Sequence, residues 1–305
     1  MPDASSLRDK KAFEAFLKEE VRKVRGVSRP VRAGLLYRLT VSKASPRHIH
    51  PNPEDEFCDP RVGPNYSIIS RYERELGRYR QMGSAAWVKN PGAADPLQVQ
   101  RISTGGFQLL NGHHRWAAAL RIGMPRIRIQ VLDITQERDI REMLRHSRHD
   151  RRVTLDLDEV IFRPYGDSGF EPQLPFLSRR IFRERLRLGI PALFQYLANH
   201  GWDVWVYTSA YYSTDYLRRL FRRYSCPVAG VITGTGRKVP GAEETKRTLE
   251  KMFEEKYQST LHIDNETVLQ THARSGQFRE EPIELSGESW ASAVIRALQR
   301  FPKED

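Results

Sequence analysis

Three short apolar runs in the second half of the chain, residues 153–155, 204–207 and 260–263, are separated by helical stretches, and this alternation constrains the fold more than any other feature. Each run is strand-length and rich in β-branched or aromatic residues. Residues 190–200 between the first two read as a helix. Residues 214–224 and 243–257 read as helices before the third. Strands and helices alternating at this length imply a parallel sheet with right-handed crossovers. Chemistry in such a sheet collects where the strands end. The three runs end in Asp156 and Asp158, in Thr208 and Ser209, and in Asp264.

The first half has a different texture. Phe13, Phe16, Leu17, Val21 and Val24 recur at helical spacing and predict an amphipathic helix over 7–24, ended by Gly26 and Pro30. Its apolar stripe is expected to pack on the chain's own core. A strand is expected over 35–41, loop over 44–65, helix over 67–79 and loop again over 82–96. Residues 97–102 alternate as a strand and 107–110 form a second. Asn111-Gly112 turns the chain into a helix over 113–122, which Gly123 and Pro125 close before a third strand at 127–131. A basic helix at 136–146 is expected to link the halves.

A chain of 305 residues predicts two domains. The expected division is an N-terminal helical extension at 1–30, an α+β domain at 31–135, a linker at 136–150 and an α/β domain at 151–305. The 50 Lys+Arg against 38 Asp+Glu give +12 overall. Residues 1–150 carry +10 of this and residues 151–305 only +2. That asymmetry suggests a polyanionic partner for the first half, nucleic acid or a phosphorylated ligand. Two cysteines, Cys58 and Cys226, exclude a disulfide framework or a four-cysteine zinc site. No apolar run reaches the roughly 18 residues of a membrane span. The first residues lack an apolar signal core, so a cytoplasmic protein without membrane attachment is expected.

In VTLDLDEVIF, two carboxylates spaced i and i+2 leave a strand tip and can face one crevice. One can ligate a hard cation and attack phosphorus; the other can give and take a proton. The hydroxyl of Thr208 can hydrogen-bond a phosphoryl oxygen. Lys246, at the start of ETKRTLEKMF, can neutralise developing charge, and Asp264 can hold a divalent cation. Acid pair, hydroxyl, lysine and acid in this order resemble the four motifs of the haloacid dehalogenase superfamily, over roughly residues 150–300. DLDEV and VWVYTSA look most like its small-capped or capless phosphatases.

This resemblance implies a Rossmann-like α/β domain with a parallel sheet and little or no cap, working with Mg²⁺ through an aspartyl-phosphate. Asp156 matches the nucleophile, Asp158 the general acid/base, Thr208 the hydroxyl and Lys246 the lysine. Asp156, Asp158 and Asp264 are the implied metal carboxylates. Asn265 and Glu266 follow where a second aspartate is usual, which weakens the metal site or shifts a ligand to Glu266. Lys238 competes with Lys246. Only 52 residues separate Asp156 from Thr208, room for a flap over RPYGDSGFEPQLPFLSRR but no large cap, so the site should admit large substrates.

In the first half, GGFQLLNGHHRWAAALRIG places Asn111, Gly112, His113, His114 and Arg115 at a helix N-terminus, where free N–H groups, the helix dipole and a guanidinium suit an anion. Helix capping is the plainer role for the histidine pair. A metal site would need His48 and His50 as well. The stretch 97–132 resembles the ParB/sulfiredoxin superfamily, and the likeness extends loosely over 35–133. Members bind nucleotide phosphates at this loop; some are CTP switches on DNA and some phosphorylate small hydroxyl compounds. The Gly-His-His-Arg form is closer to the kinases, for which Glu54 or Glu56 of HPNPEDEF would be the base.

The expected protein is therefore a Mg²⁺-dependent phosphomonoester hydrolase or phosphotransferase. It is fused to a nucleotide- or phosphate-binding domain, in some form a kinase, that takes ATP, ADP or CTP, and its substrate would be a phosphorylated molecule such as a nucleic-acid end. The alternative is a non-catalytic, nucleotide-gated DNA-binding protein with a phosphatase-like scaffold.

Overall fold

A computed structural model describes residues 4–26, 28–82, 95–162, 169–235, 242–273 and 275–301; for residues 35, 39 and 242–246 only the backbone is described. The chain divides into two compact units at Asp133/Ile134.

The first unit contains a five-stranded sheet in the order β1(Val41–Ala44), β5(Ile127–Val131), β3(Leu97–Arg101), β4(Phe107–Asn111), β2(Ile49–His50). β3 runs parallel to β5 and antiparallel to β4. Helix α1(Lys10–Val24) starts where the Asp9 carboxylate accepts the Ala12 N–H at 2.9 Å. Phe13 and Leu17 of its stripe are buried in the core of this unit, together with Trp116, Ala117, Ala118 and Ala119 of helix α4(His113–Arg121), and Val24 is buried as well. Small residues let α4 approach α3(Tyr66–Met82) closely, and Arg121 of α4 donates to Glu73 of α3 at 2.6 Å. The strand expected over 35–41 is instead a helical turn, α2(Leu35–Leu39), with the strand beginning at Val41. LLYRL has no β-branched residue, whereas Val41 does suit a strand. The expected loop 82–96 falls largely on residues 83–94, outside the described residues.

The second unit has a six-stranded sheet in the order β11(Phe278–Pro282), β10(Thr267–His272), β9(Ser259–Ile263), β6(Arg151–Asp156), β7(Asp203–Thr208), β8(Gly230–Thr233). The four strands from β9 to β8 are parallel. The sheet as a whole is mixed, because β10 and β11 extend it antiparallel beyond β9. The core is built from Val153, Leu155, Val206 and Leu261 of the sheet with Leu193, Phe194 and Leu197 of α7(Ile190–Asn199) and Leu217, Leu220 and Phe221 of α8(Thr214–Arg223); α6(Phe176–Arg179) is a single exposed turn. Gly230 faces Trp205 across the β7–β8 pair, and a Cβ there would stand 2.2 Å from the indole carbons.

The linker expected at 136–150 contains a basic helix expected at 136–146. The helix is α5(Glu137–His146), whose Ile140, Met143 and Leu144 are buried with Trp205, Ile232, Phe253 and Tyr257. The apolar stripe of this helix makes it part of the second unit rather than a tether.

Candidate active site

The site of the second unit follows from strand register. β6 lies between β9 and β7. Leu155 pairs with Ile263, and Asp156 with Tyr207. The next residues on the neighbouring strands, Asp264 and Thr208, therefore leave the sheet at the same edge as Asp156, on strands about 4.8 Å apart. Past Asp156 the chain makes a single π-helical turn, Leu157–Phe162. Leu157, Val160 and Ile161 anchor it in the core, and Asp156 and Asp158 remain half-buried at its start. Asp156 Oδ1 accepts the Glu159 N–H at 2.8 Å, which closes the turn. Among the described residues its other oxygen, Oδ2, makes no hydrogen bond.

Thr208 is wholly buried. Its hydroxyl donates to Asp158 Oδ2 and accepts the Ala210 N–H at 3.0 Å. The hydroxyl expected to meet a phosphoryl oxygen thus also holds the second carboxylate. Asp264 is exposed; its Oδ1 accepts the Asn265 N–H at 2.7 Å, and its own N–H donates to Thr267 O at 3.0 Å to close the β9–β10 hairpin.

Asn265 has a role the sequence did not disclose. Its Oδ1 accepts from Arg187 Nη1 at 2.8 Å, and its Nδ2 donates to Glu159 O at 3.3 Å. Arg187 is 1% exposed, with its guanidinium 4.0 Å from the Trp290 ring centre; burial lowers its pKa to about 10. Trp290 Nε1 donates to Asn265 O at 2.9 Å. The amide accepts from the arginine and donates to the carbonyl at once, which the carboxylate of an aspartate could not do. Asn265 thus fixes the turn that carries Asp156, and Glu266 is exposed. Lys246 lies on α9(Ala242–Lys256), but its side chain, like all of Lys238, is outside the described residues.

Among the described residues no group of three or more His, Cys, Asp or Glu side chains could hold a metal. Mg²⁺ does not require one: it takes one or two carboxylates and fills its octahedron with water and substrate phosphate. The hard oxygens of Asp156 and Asp264 on adjacent strand ends fit that demand.

In the first unit, Gly112 takes φ +99°, and a Cβ there would fall 2.6 Å from Leu97 Cδ2. This residue starts α4, whose first intrahelical bond runs from Trp116 N to Gly112 O at 2.9 Å. His113 is 5% exposed. Its Nε2 accepts the Asn52 N–H at 3.2 Å, and its Nδ1 lies 3.5 Å from Asp55 Oδ2. Burial outweighs Asp55 and lowers the ring's pKa to about 4, so the imidazole is neutral with its proton on Nδ1. His114 Nε2 accepts the Asn65 N–H at 3.2 Å, and burial lowers its pKa as well. Phe57 packs on both rings, with centroids 5.6 and 5.1 Å away.

The two histidines therefore clamp the 52–65 segment onto the helix start. The carboxylate that meets His113 is Asp55; Glu54 lies 4.0 Å from Arg25, and Glu56 is exposed. Asn111 is exposed and donates to Gln98 Oε1 at 3.3 Å; Arg115 donates to Asp95 O at 2.6 Å. His50 meets Glu20 at 2.8 Å rather than the histidine pair.

The family model of the ParB N-terminal domain matches residues 84–147. It covers β3, β4, α4 and β5 and runs through α5. A ParB-like segment is consistent with nucleic-acid or nucleotide interaction. A comparison with curated proteins found no match. Among the described residues no helix is long and apolar enough to cross a membrane.

Proposed function

We propose that the second unit is a phosphomonoesterase acting through Asp156, and that the ParB-like first unit binds a nucleotide or other phosphate. The observation that carries the first part is the meeting of Asp156, Asp264 and the Asp158–Thr208 pair at one sheet edge. In this reading Oδ2 of Asp156, unengaged among the described residues, attacks phosphorus and the ester P–O bond breaks. Asp158, protonated, delivers its proton to the departing alkoxide, so the alcohol leaves neutral and the phosphoryl group rests on Asp156. Asp158, now a carboxylate, then takes a proton from water as that water attacks phosphorus, which frees phosphate and regenerates Asp156. Mg²⁺, held by Asp156 and Asp264, would screen the phosphoryl charge. Thr208 keeps Asp158 aimed. Asn265 and Arg187 keep the turn that bears Asp156 in register.

The first unit offers the leading N–H groups of α4, which lack intrahelical acceptors, with Arg115 beside them. His113 supports this corner from behind.

The test is release of phosphate from p-nitrophenyl phosphate and from phosphorylated nucleotides and oligonucleotides. Turnover should need Mg²⁺, vanish with EDTA and disappear in Asp156→Asn. Turnover that persists in Asp156→Asn refutes the nucleophile. A chain that binds nucleotide or DNA but turns over no phosphomonoester is the non-catalytic module instead.

A further inference from the structure

A strap runs from Gly169 to Leu188 at the carboxyl edge of the second sheet. Its end is fixed beside the acids: Arg187 N–H donates to Ile161 O at 2.8 Å, and the Arg187 side chain holds Asn265. Its start pairs back on its end, with Glu171 N–H donating to Leu186 O and Leu188 N–H to Gly169 O, both at 2.8 Å. Its middle leans on α8, which begins just past Thr208: Phe182 packs on Tyr216, and Tyr216 donates to Glu184. The two ends of the strap therefore lie beside the turn that bears Asp156.

Its surface is unusual in two ways. Residues 169–188 carry five arginines and two glutamates, a net +3 in a half of the chain that is only +2. Arg179, Arg180 and Arg183 are exposed, and among the described residues none of the three meets a carboxylate within 4.0 Å. The strap also exposes aromatic rings beside those cations. Phe176 is 58% exposed, with Arg180 4.5 Å and Arg179 5.7 Å from its centre; Phe170 is 43% exposed, with Arg185 at 5.1 Å. The strap also lines a cavity of about 180 Å³, with Arg179, Arg183, Arg185 and Glu184 set around Leu174 and Phe182. The acid in this lining, Glu184, is turned to the Tyr216 hydroxyl.

We infer that the strap binds single-stranded nucleic acid and feeds its phosphorylated end to Asp156. Guanidinium groups around a small cavity suit a backbone phosphate, and exposed rings beside them offer faces on which bases stack. An acidic peptide would use the charges and leave the rings idle. The identity of the reacting end rests on the phosphomonoesterase reading; the binding does not.

The test uses the full chain and an oligothymidylate of about 20 nucleotides bearing a terminal phosphate, longer than a site of roughly 4–16 nucleotides. Binding is followed by fluorescence anisotropy across a salt series, with polyglutamate as the competing polyanion. The Arg179→Ala/Arg180→Ala/Arg183→Ala variant should bind at least tenfold more weakly. Its slope of log affinity against log salt should fall by about 2, from about 0.7 per lost phosphate contact. Phe176→Ala should weaken oligonucleotide binding roughly tenfold and leave polyglutamate untouched. All four residues are exposed, so the fold should survive. Unchanged affinity and slope in the triple variant overturn the proposal. So does equal loss toward polyglutamate with no effect of Phe176→Ala. A chain that meets the binding expectations but releases no phosphate from any ester keeps the strap and loses the phosphomonoesterase reading.

Discussion

Lowering the pH should loosen the first unit through His113. The folded ring has its pKa near 4, against about 6.5 in an unfolded chain. Because the folded value is the lower one, the unfolded chain takes up a proton that the folded unit refuses once the pH falls below 6.5. Stability is therefore intact at pH 7, declines between roughly pH 6.5 and 4, and levels off below that for this residue. Between pH 7 and pH 5 these two pKa values give a loss of about 2 kcal/mol. Lowered Glu20 acts in the same direction but only at more acid pH, as its carboxylate protonates below its usual range; His114 adds to the loss in the same window.

His113→Gln isolates the contribution. Glutamine can accept from Asn52 N–H and donate to Asp55 as the neutral ring does, yet it cannot take a proton. Urea unfolding of the first unit can be read on β3, β4 and α4 peptides, by a brief deuterium pulse at a common pH after equilibration at pH 7 or pH 5. The wild-type protein should lose about 2 kcal/mol more than His113→Gln over that interval. Equal losses in the two proteins, or a His113 ring found by NMR to titrate near 6.5, would refute the clamp.

Thr208→Val should lower kcat about tenfold to a hundredfold with little change in KM, since a hydrogen bond to a charged group contributes about 1.5–3 kcal/mol; steady-state kinetics should show a larger loss for alkyl phosphates than for p-nitrophenyl phosphate, whose leaving group needs little protonation. Gly230→Ala drives a methyl into the Trp205 ring and should destabilise the second unit by about 1–3 kcal/mol or more, read as a fall in Tm of several degrees by calorimetry. In the first unit, isothermal titration with ATP, ADP and CTP should show Arg115→Ala weakening nucleotide binding roughly tenfold to a hundredfold and Arg115→Lys less, with p-nitrophenyl phosphate turnover nearly unchanged.

The three apolar strands of the second unit were legible because a strand covered on both faces reads as an unbroken apolar run. β8 offers only four residues, Gly230–Thr233, too few to stand out. β11 is an edge strand of mostly exposed residues, FREEP, with no apolar pattern to read. The acids at the strand ends were legible for the same reason as the strands: polarity begins where burial stops. Their partners were not. That Thr208 serves Asp158, that Asn265 spans Arg187 and Glu159, and that Asp55 rather than Glu54 or Glu56 faces His113 all depend on contacts between residues 50–106 positions apart in the chain. Local pattern carries no record of these.

The place of α5 bears on how such a chain can be cut and recombined. The ParB-like match runs to residue 147 and so takes in a helix whose Ile140, Met143 and Leu144 complete the core of the other unit. A gene segment ended at 147 would carry away a wall of its neighbour, and one begun at 151 would leave Trp205, Phe253 and Tyr257 facing water. Sequence kinship and mechanical integrity part company over these residues. A break that spares both units falls before Ile134, inside the stretch that sequence likeness treats as one.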